Sequence, residues 1–195
     1  SIKNNGPLDM RMSKVGISAG DVINSFQEEE LSNLFWKYGE EQKSKKIARY
    51  IINERKKYRI STTHDLANII KKAKHNKKPN RIHPATKIFQ ALRIFVNNEL
   101  DEIKKFIDQS TALLVPGSRL VLVTFHSLED RIVKNSFKRL CYSQSNNRHL
   151  PANENKEVPK FKIVGKSFCI PSEEEIRKNP KSRSAKLRGI ERIII

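Results

Sequence analysis

The apolar positions of this chain fall into helical spacing for most of its first half. Leu31, Leu34, Phe35 and Tyr38 recur at three- and four-residue intervals after Ser25 and Glu28, a pair that can form a capping box. They predict a helix starting near Ser25, with Gly39 as its left-handed stop. Ile47, Ala48, Ile51 and Ile52 predict a second helix over residues 40–57. Leu66, Ile69, Ile70 and Ala73 predict a third, capped by Thr62 and Asp65. From Pro84 the pattern predicts one long helix to about residue 114, with proline in its first turn. Then "PGSRLVLVTF" is apolar without alternation, the signature of a strand buried on both faces of a parallel sheet. Ser127 is read as the cap of a helix to Leu140, with Glu129 and Asp130 complementing its dipole. Two further strands, "FKIVGKSFCI" and "AKLRGIERIII", flank a short helix capped by Ser172 and Glu175. The polar stretches "KKAKHNKKPNRIHP" and 143–159 are expected to be loops. The fold class is therefore α/β in its second half, preceded by an all-helical segment over about 15–85.

Polar residues inside the long helix modify this picture. Ile88, Phe89, Ala91, Leu92, Ile94, Phe95 and Val96 surround most of it, as in a buried helix. Yet Thr86, Gln90, Arg93 and Asn97 fall within a wedge of about 60° at 100° per residue. A stripe facing bulk water is expected to carry lysine and glutamate. Two amides and an arginine instead suit a groove, with Gln90 and Asn97 as hydrogen-bonding amides and Arg93 on a phosphate or carboxylate.

Charge adds a partner. The 195 residues carry a formal net charge of +18, and between Glu41 and Arg93 there are 16 Lys and Arg against 3 Asp and Glu. A local excess of this size is an electrostatic footprint for phosphate, and hence for nucleic acid. The two cysteines, Cys141 and Cys169, stand apart, so no zinc motif is readable and a reducing, cytoplasmic compartment is expected. No apolar run approaches the ~20 residues of a membrane span. His126-Ser127 at the end of a strand lies where ligands of open α/β sheets bind. Adjacent residues do not supply the geometry of a Ser/His hydrolase, and there is no GxSxG. Nor does any of the seven glycines fall in a GxG, the loop that cradles dinucleotide phosphates.

"GPLDMRM" (6–12), "YGEE" (38–41), "HPATKIFQALRIFVNNEL" (83–100), "FHSLEDRIVK" (125–134) and "NPKSRSAKLR" (179–188) occur in this order. Together they resemble the small-subunit ribosomal RNA methyltransferase H family over essentially the whole chain. Thr124 stands where that family usually has serine. The resemblance implies transfer of a methyl group from S-adenosylmethionine to the N4 amine of a cytosine in small-subunit ribosomal RNA. It also implies a Rossmann-like methyltransferase domain with a helical domain inserted into it. On that reading residues 1–14 are a remnant of the methyltransferase domain, 15–85 the helical insert that binds substrate, and 86–195 the C-terminal part of the methyltransferase domain. In the family the glycine-rich donor loop and its acidic partners precede "GPLDMRM". An N-terminally truncated member, lacking the main cofactor-binding motif and inactive alone, is therefore expected.

The resemblance assigns Asp9 as the acceptor that orients the cytosine amine, and Arg11 as the residue holding its loop or a phosphate. His126 and Ser127 would line the site. Gln90, Arg93 and Asn97, with His83 and Lys87 nearby, would contact substrate. The basic insert would dock the ribosomal RNA or subunit through phosphates. The free sheet edge is expected to promote self-association. The competing reading is a non-catalytic RNA-binding remnant acting through its basic helices.

Overall fold

A computed structural model describes residues 2, 4–75, 83–142 and 158–193, so parts of both predicted loops, 76–82 and 143–157, lie outside the described residues. The chain divides into two compact units, Ser1–Glu99 and Leu100–Ile195.

The first unit is all-helical: α1 (Ala19–Ser25), α2 (Glu28–Gly39), α3 (Ser44–Arg55), α4 (Thr63–Lys74) and α5 (Thr86–Val96). Their apolar stripes meet in one core around Ile23, Phe35, Ile51, Leu66, Ile70 and Leu92. The predicted Thr62/Asp65 box is formed, each side chain taking the other's backbone N–H. The Ser25 start is not. Ser25 ends α1, which the sequence reading missed, and Gln27 with Glu30 boxes the start of α2. α1 has its own box, Ser18 with Asp21.

Gly39 is the last residue of α2, and the left-handed position falls on Glu40 instead (φ 48°). Close approach explains the glycine. A Cβ at Gly39 would lie 2.7 Å from the Lys87 carbonyl oxygen and 3.3 Å from the Ala91 Cβ on α5. Gly39→Ala is therefore expected to destabilise the first unit by about 1–3 kcal/mol as α2 and α5 are pushed apart, more than alanine regains in helix propensity. A denaturant midpoint at or above the parent's would refute this. The crossing is backed by a buried ion pair. Lys74 Nζ, at the end of α4, donates to Glu41 Oε2 and to the Pro84 carbonyl, each at 2.6 Å.

The predicted long helix is two. Asn97 ends α5 and Asn98 takes a left-handed turn (φ 51°), after which α6 (Glu99–Leu113) begins. Asparagine tolerates that conformation, so the Asn-Asn pair was the break signal.

The second unit carries α6, β1 (Arg119–Thr124), α7 (Ser127–Cys141), β2 (Phe161–Ile163), α8 (Glu173–Lys178), a 3-10 turn at Pro180–Ser184 and β3 (Lys186–Arg192). The strands form a sheet in the order β1-β3-β2, antiparallel throughout, with Leu120 opposite Ile190 and Ile163 also opposite Ile190 from the other side. The expectation of a parallel sheet is thus not met among the described strands. Nor is β1 buried on both faces. Leu120 and Thr124 are buried, whereas Val121 and Val123 are about half exposed. An unbroken apolar strand reads the same whether its second face is covered or open. The covered face packs on Ile107 of α6 and on Val133, Phe137 and Cys141 of α7. Burial pushes the Cys141 thiol up to about 11, which keeps it protonated and unreactive.

Candidate functional site

In the first unit the Gly6–Met12 loop is tied down along its backbone. Thr63 N donates to the Gly6 carbonyl at 2.9 Å, and Leu8 N donates to the Ser61 carbonyl at 2.9 Å. At the start of α1, Gly20 N and Ala19 N donate to the carbonyls of Leu8 (2.5 Å) and Asp9 (2.7 Å). Leu8 is buried as the anchor, and Met10 turns the chain in the left-handed region (φ 63°). Asn97 closes the far side. Its Nδ2 donates to the Met10 carbonyl at 2.8 Å and its Oδ1 accepts from Met12 N at 2.7 Å. The amide stripe of α5 thus reaches the loop through Asn97, as both donor and acceptor.

Held this way, the loop presents Asp9. Arg11 grips the carboxylate with Nε on Oδ1 at 2.6 Å and Nη2 on Oδ2 at 2.9 Å, and its Nη1 donates to the Gly16 carbonyl at 2.9 Å. Both donors come from one planar fork, so Asp9 is fixed in rotation as well as position. The side-chain hydrogen bonds from Arg11 hold the Asp9 carboxyl below the usual carboxylate value. About half of its side chain remains exposed. At neutral pH it is an oriented, ionised acceptor and a poor proton store.

Three of the other residues expected to contact substrate have partners within the fold. Arg93 forms a two-pronged pair with Glu99, at 2.7 and 3.0 Å. Lys87 Nζ caps α2 at the Glu40 carbonyl, 2.8 Å away. His83 Nδ1 accepts from Ala85 N at 3.2 Å, at the entry to α5. Gln90 is partly buried.

In the second unit His126, rather than Ser127, is the N-cap of α7. Its Nδ1 accepts from Glu129 N at 3.3 Å, while Glu129 Oε2 accepts from Phe125 N at 2.8 Å and His126 N at 3.3 Å. This is a capping box with imidazole in the usual place of a hydroxyl. Acceptance at Nδ1 puts the neutral ring's proton on Nε2. That atom is buried 3.1 Å from Glu129 Oε1, but off the line a hydrogen bond needs. Burial pushes the Glu129 carboxyl up, but the His126 ring and the Phe125 N–H outweigh it and leave it below its usual value. Ser127 is exposed at the first helical position.

Sequence reasoning missed the buried ion cluster of this unit. Asp130 was read as a dipole partner. Instead it accepts from Arg188 Nε (2.7 Å), Arg188 Nη2 (3.2 Å) and Lys186 Nζ (3.0 Å) on β3. The side chains of Asp130 and Arg188 are about nine-tenths buried, and Arg188 Nη1 also donates to the Ser167 carbonyl at 2.6 Å. The one signal was that "FHSLEDR" and "KSRSAKLR" each hold a charge on an apolar face.

The described residues do not fit a methyl-donor site by themselves. Gly16, Gly117 and Gly165 have positive φ, but each is a lone glycine in a turn, and none opens a helix after a strand. Among the described residues no helix is long and apolar enough to cross a membrane.

A basic all-helical unit and a mixed α/β unit in one chain, with a clamped carboxylate on an anchored loop, define a basic mixed α/β protein. The chain belongs to the MraW methylase family, whose model matches residues 1–193. It is 48% identical to the ribosomal RNA small subunit methyltransferase H of Afipia carboxidovorans over 192 residues, 98% of this chain and 57% of that protein. The protein of the same name from Rhodopseudomonas palustris (strain BisB18) is 49% identical over 187 residues, 96% of this chain and 56% of its own length. That from Rhizobium meliloti is 47% identical over 189 residues, 97% and 55% respectively. The chain therefore spans little more than half the length of these relatives.

Proposed function

We propose that this chain acts within an S-adenosylmethionine-dependent methyltransferase that modifies the N4 amine of a cytosine in small-subunit ribosomal RNA, and that it supplies contacts on the substrate side. The observation that carries this reading is near-half identity, along 96–98% of the chain, to proteins named as ribosomal RNA small subunit methyltransferases. S-adenosylmethionine would supply the electrophilic methyl group. These residues do not form its loop and would act on the nucleotide rather than on the donor.

What they can do is orient. The cytosine amine is a poor nucleophile, since its lone pair is delocalised into the ring. An ionised acceptor held at one angle would align an N–H and so turn the nitrogen towards the donor. Asp9 has that character, Arg11 fixes it, and Asn97 fixes its loop. His126 acts through α7, whose start it sets. Lys45, Lys46, Lys56, Lys71 and Lys72 are exposed on or next to α3 and α4, where phosphates can reach them.

RNA binding tests the substrate reading. With about five phosphate contacts to a single strand, affinity should fall roughly 100-fold between 50 and 200 mM salt, from a slope of about −0.7 per contact. Replacing Lys45, Lys46, Lys71 and Lys72 by glutamine should flatten that slope. Fluorescence polarisation with a labelled single-stranded oligoribonucleotide measures both. Affinity indifferent to salt, or no binding at all, would sink the reading.

A further inference from the structure

The second unit contains a cleft that the proposed reaction does not use. It has a volume of about 310 Å³ and lies between α7 and the loop after β2, with Phe137 at its apolar floor. That is the lower end of the range for small-ligand pockets, about 300–1,000 Å³. Three of its lining residues fall in one stripe along α7: Lys134, Lys138 and, at the C-cap, Tyr142. Spacing of four residues brings such side chains onto one face. The opposite side presents Phe168. Both rings are exposed, Tyr142 by 56% and Phe168 by 41%. Lysine near a helix C-terminus also suits the helix dipole, but the dipole does not account for two exposed aromatic walls.

The charge of the cleft is one-sided. No acidic side chain lines it among the described residues. Its buried cation, Arg188, is already matched by Asp130, which leaves the charges of Lys134 and Lys138 at the rim. Phe168 is held by cations, with Arg188 Cζ 5.2 Å and Lys186 Nζ 5.4 Å from its ring centroid. Aromatic walls bind a base by its π-face whatever its identity, and lysines at the rim bind the phosphate that follows it.

We propose that this cleft holds one unpaired nucleotide of an RNA strand, its base against Tyr142 and Phe168 and its phosphate on Lys134 and Lys138. The inference rests on the RNA reading above and adds a second contact, in the other unit, with no role in methyl transfer. Loss of one stacking platform is worth about 1–3 kcal/mol, or roughly 5- to 150-fold in affinity.

The test uses the full chain and a short single-stranded oligoribonucleotide carrying 4-thiouridine. Photocrosslinking followed by peptide mass spectrometry should place crosslinks at Tyr142 or Phe168. Tyr142→Ala with Phe168→Ala should weaken binding at least fivefold with an unchanged melting curve. Phe168→Leu, which keeps apolar packing and removes only the ring, guards against a folding defect and should weaken binding alone. Lys134→Gln with Lys138→Gln should lower the salt slope. Crosslinks confined to residues 1–99, or affinity within twofold of the parent in the ring variants, would overturn the cleft assignment while leaving salt-dependent RNA binding intact. Displacement of the oligomer by equimolar uridine monophosphate would overturn it in favour of a free nucleotide, and displacement by S-adenosylhomocysteine in favour of a cofactor site. Absence of RNA binding by the parent would overturn both this inference and the reading beneath it.

Discussion

Asp130→Ala is expected to cost the second unit about 3–5 kcal/mol, enough to unfold a marginal domain. The change removes the partner of a buried guanidinium and leaves Arg188, with nine-tenths of its side chain out of water, uncompensated between α7 and β3. The Ser167 carbonyl stays in place but carries no net charge to offset it. The desolvation cost of an orphaned ion, rather than the strength of the original pair, sets the magnitude. Asp130→Leu combined with Arg188→Met should therefore recover most of the loss, because both charges leave together. Acid has the same target. Hydrogen bonds from Arg188, and then Lys186, hold the Asp130 carboxyl below the usual carboxylate value. Its folded pKa thus lies under the unfolded one of about 3.9. The contribution is complete above that value and is lost as pH falls through the folded pKa. Urea midpoints at pH 7 and pH 3 should separate the parent, which weakens in acid, from the double variant, which weakens less. A single Asp130→Ala variant within 1 kcal/mol of the parent would show that Arg188 finds water on its own.

What could be read in advance follows the distance between partners. Thr62 with Asp65 and Ser172 with Glu175 are three residues apart; the first box was legible in full, and of the second only the Ser172 half forms. Asp9 with Arg11 is two apart, so their clamp was legible as a local pair. Asn97 reaches Met10 across 87 residues and Arg188 reaches Asp130 across 58, and at such separations periodicity can flag a polar group on an apolar face but cannot name its partner. Asn97 was singled out as one of a polar stripe on an otherwise apolar helix, but its partner had to come from the fold. Local errors had local causes. Preference tables favour a hydroxyl cap and therefore Ser127, whereas an imidazole acceptor one residue earlier does the same job. Gly39 was given a left-handed turn because that is the commonest use of a glycine there. A contact with the Lys87 carbonyl is a second use that only packing reveals. For β1, composition fixed the strand but not its neighbours: β3 begins 62 residues after β1 ends and still pairs with it, antiparallel.

Asp9→Asn, made in a full-length relative carrying the same Asp-x-Arg loop, is expected to lower kcat about 100-fold or more, the scale of a misaligned reacting group. Asparagine keeps the shape but removes the charge that Arg11 grips through both oxygens, and it offers an N–H where the amine needs an acceptor. Arg11→Lys should give a smaller loss of the same kind, because one ammonium cannot hold both oxygens of Asp9 in a plane. Asn97→Ala releases the loop at Met10 and Met12 without touching the carboxylate, so it should raise KM and leave kcat closer to the parent. The pH profile separates orientation from proton storage. A carboxyl held below its usual value by Arg11 stays ionised down to acid pH, so the rate carried by Asp9 should be flat through neutrality and fall only in acid. A general base would instead bring a rate limb near neutral pH that vanishes in Asp9→Asn. Methyl transfer to small ribosomal subunits, measured with a tritiated donor across pH 5–8, decides between them. An Asp9→Asn variant with the parent's kcat would remove Asp9 from the site, and a neutral limb lost with it would replace the acceptor role with a base.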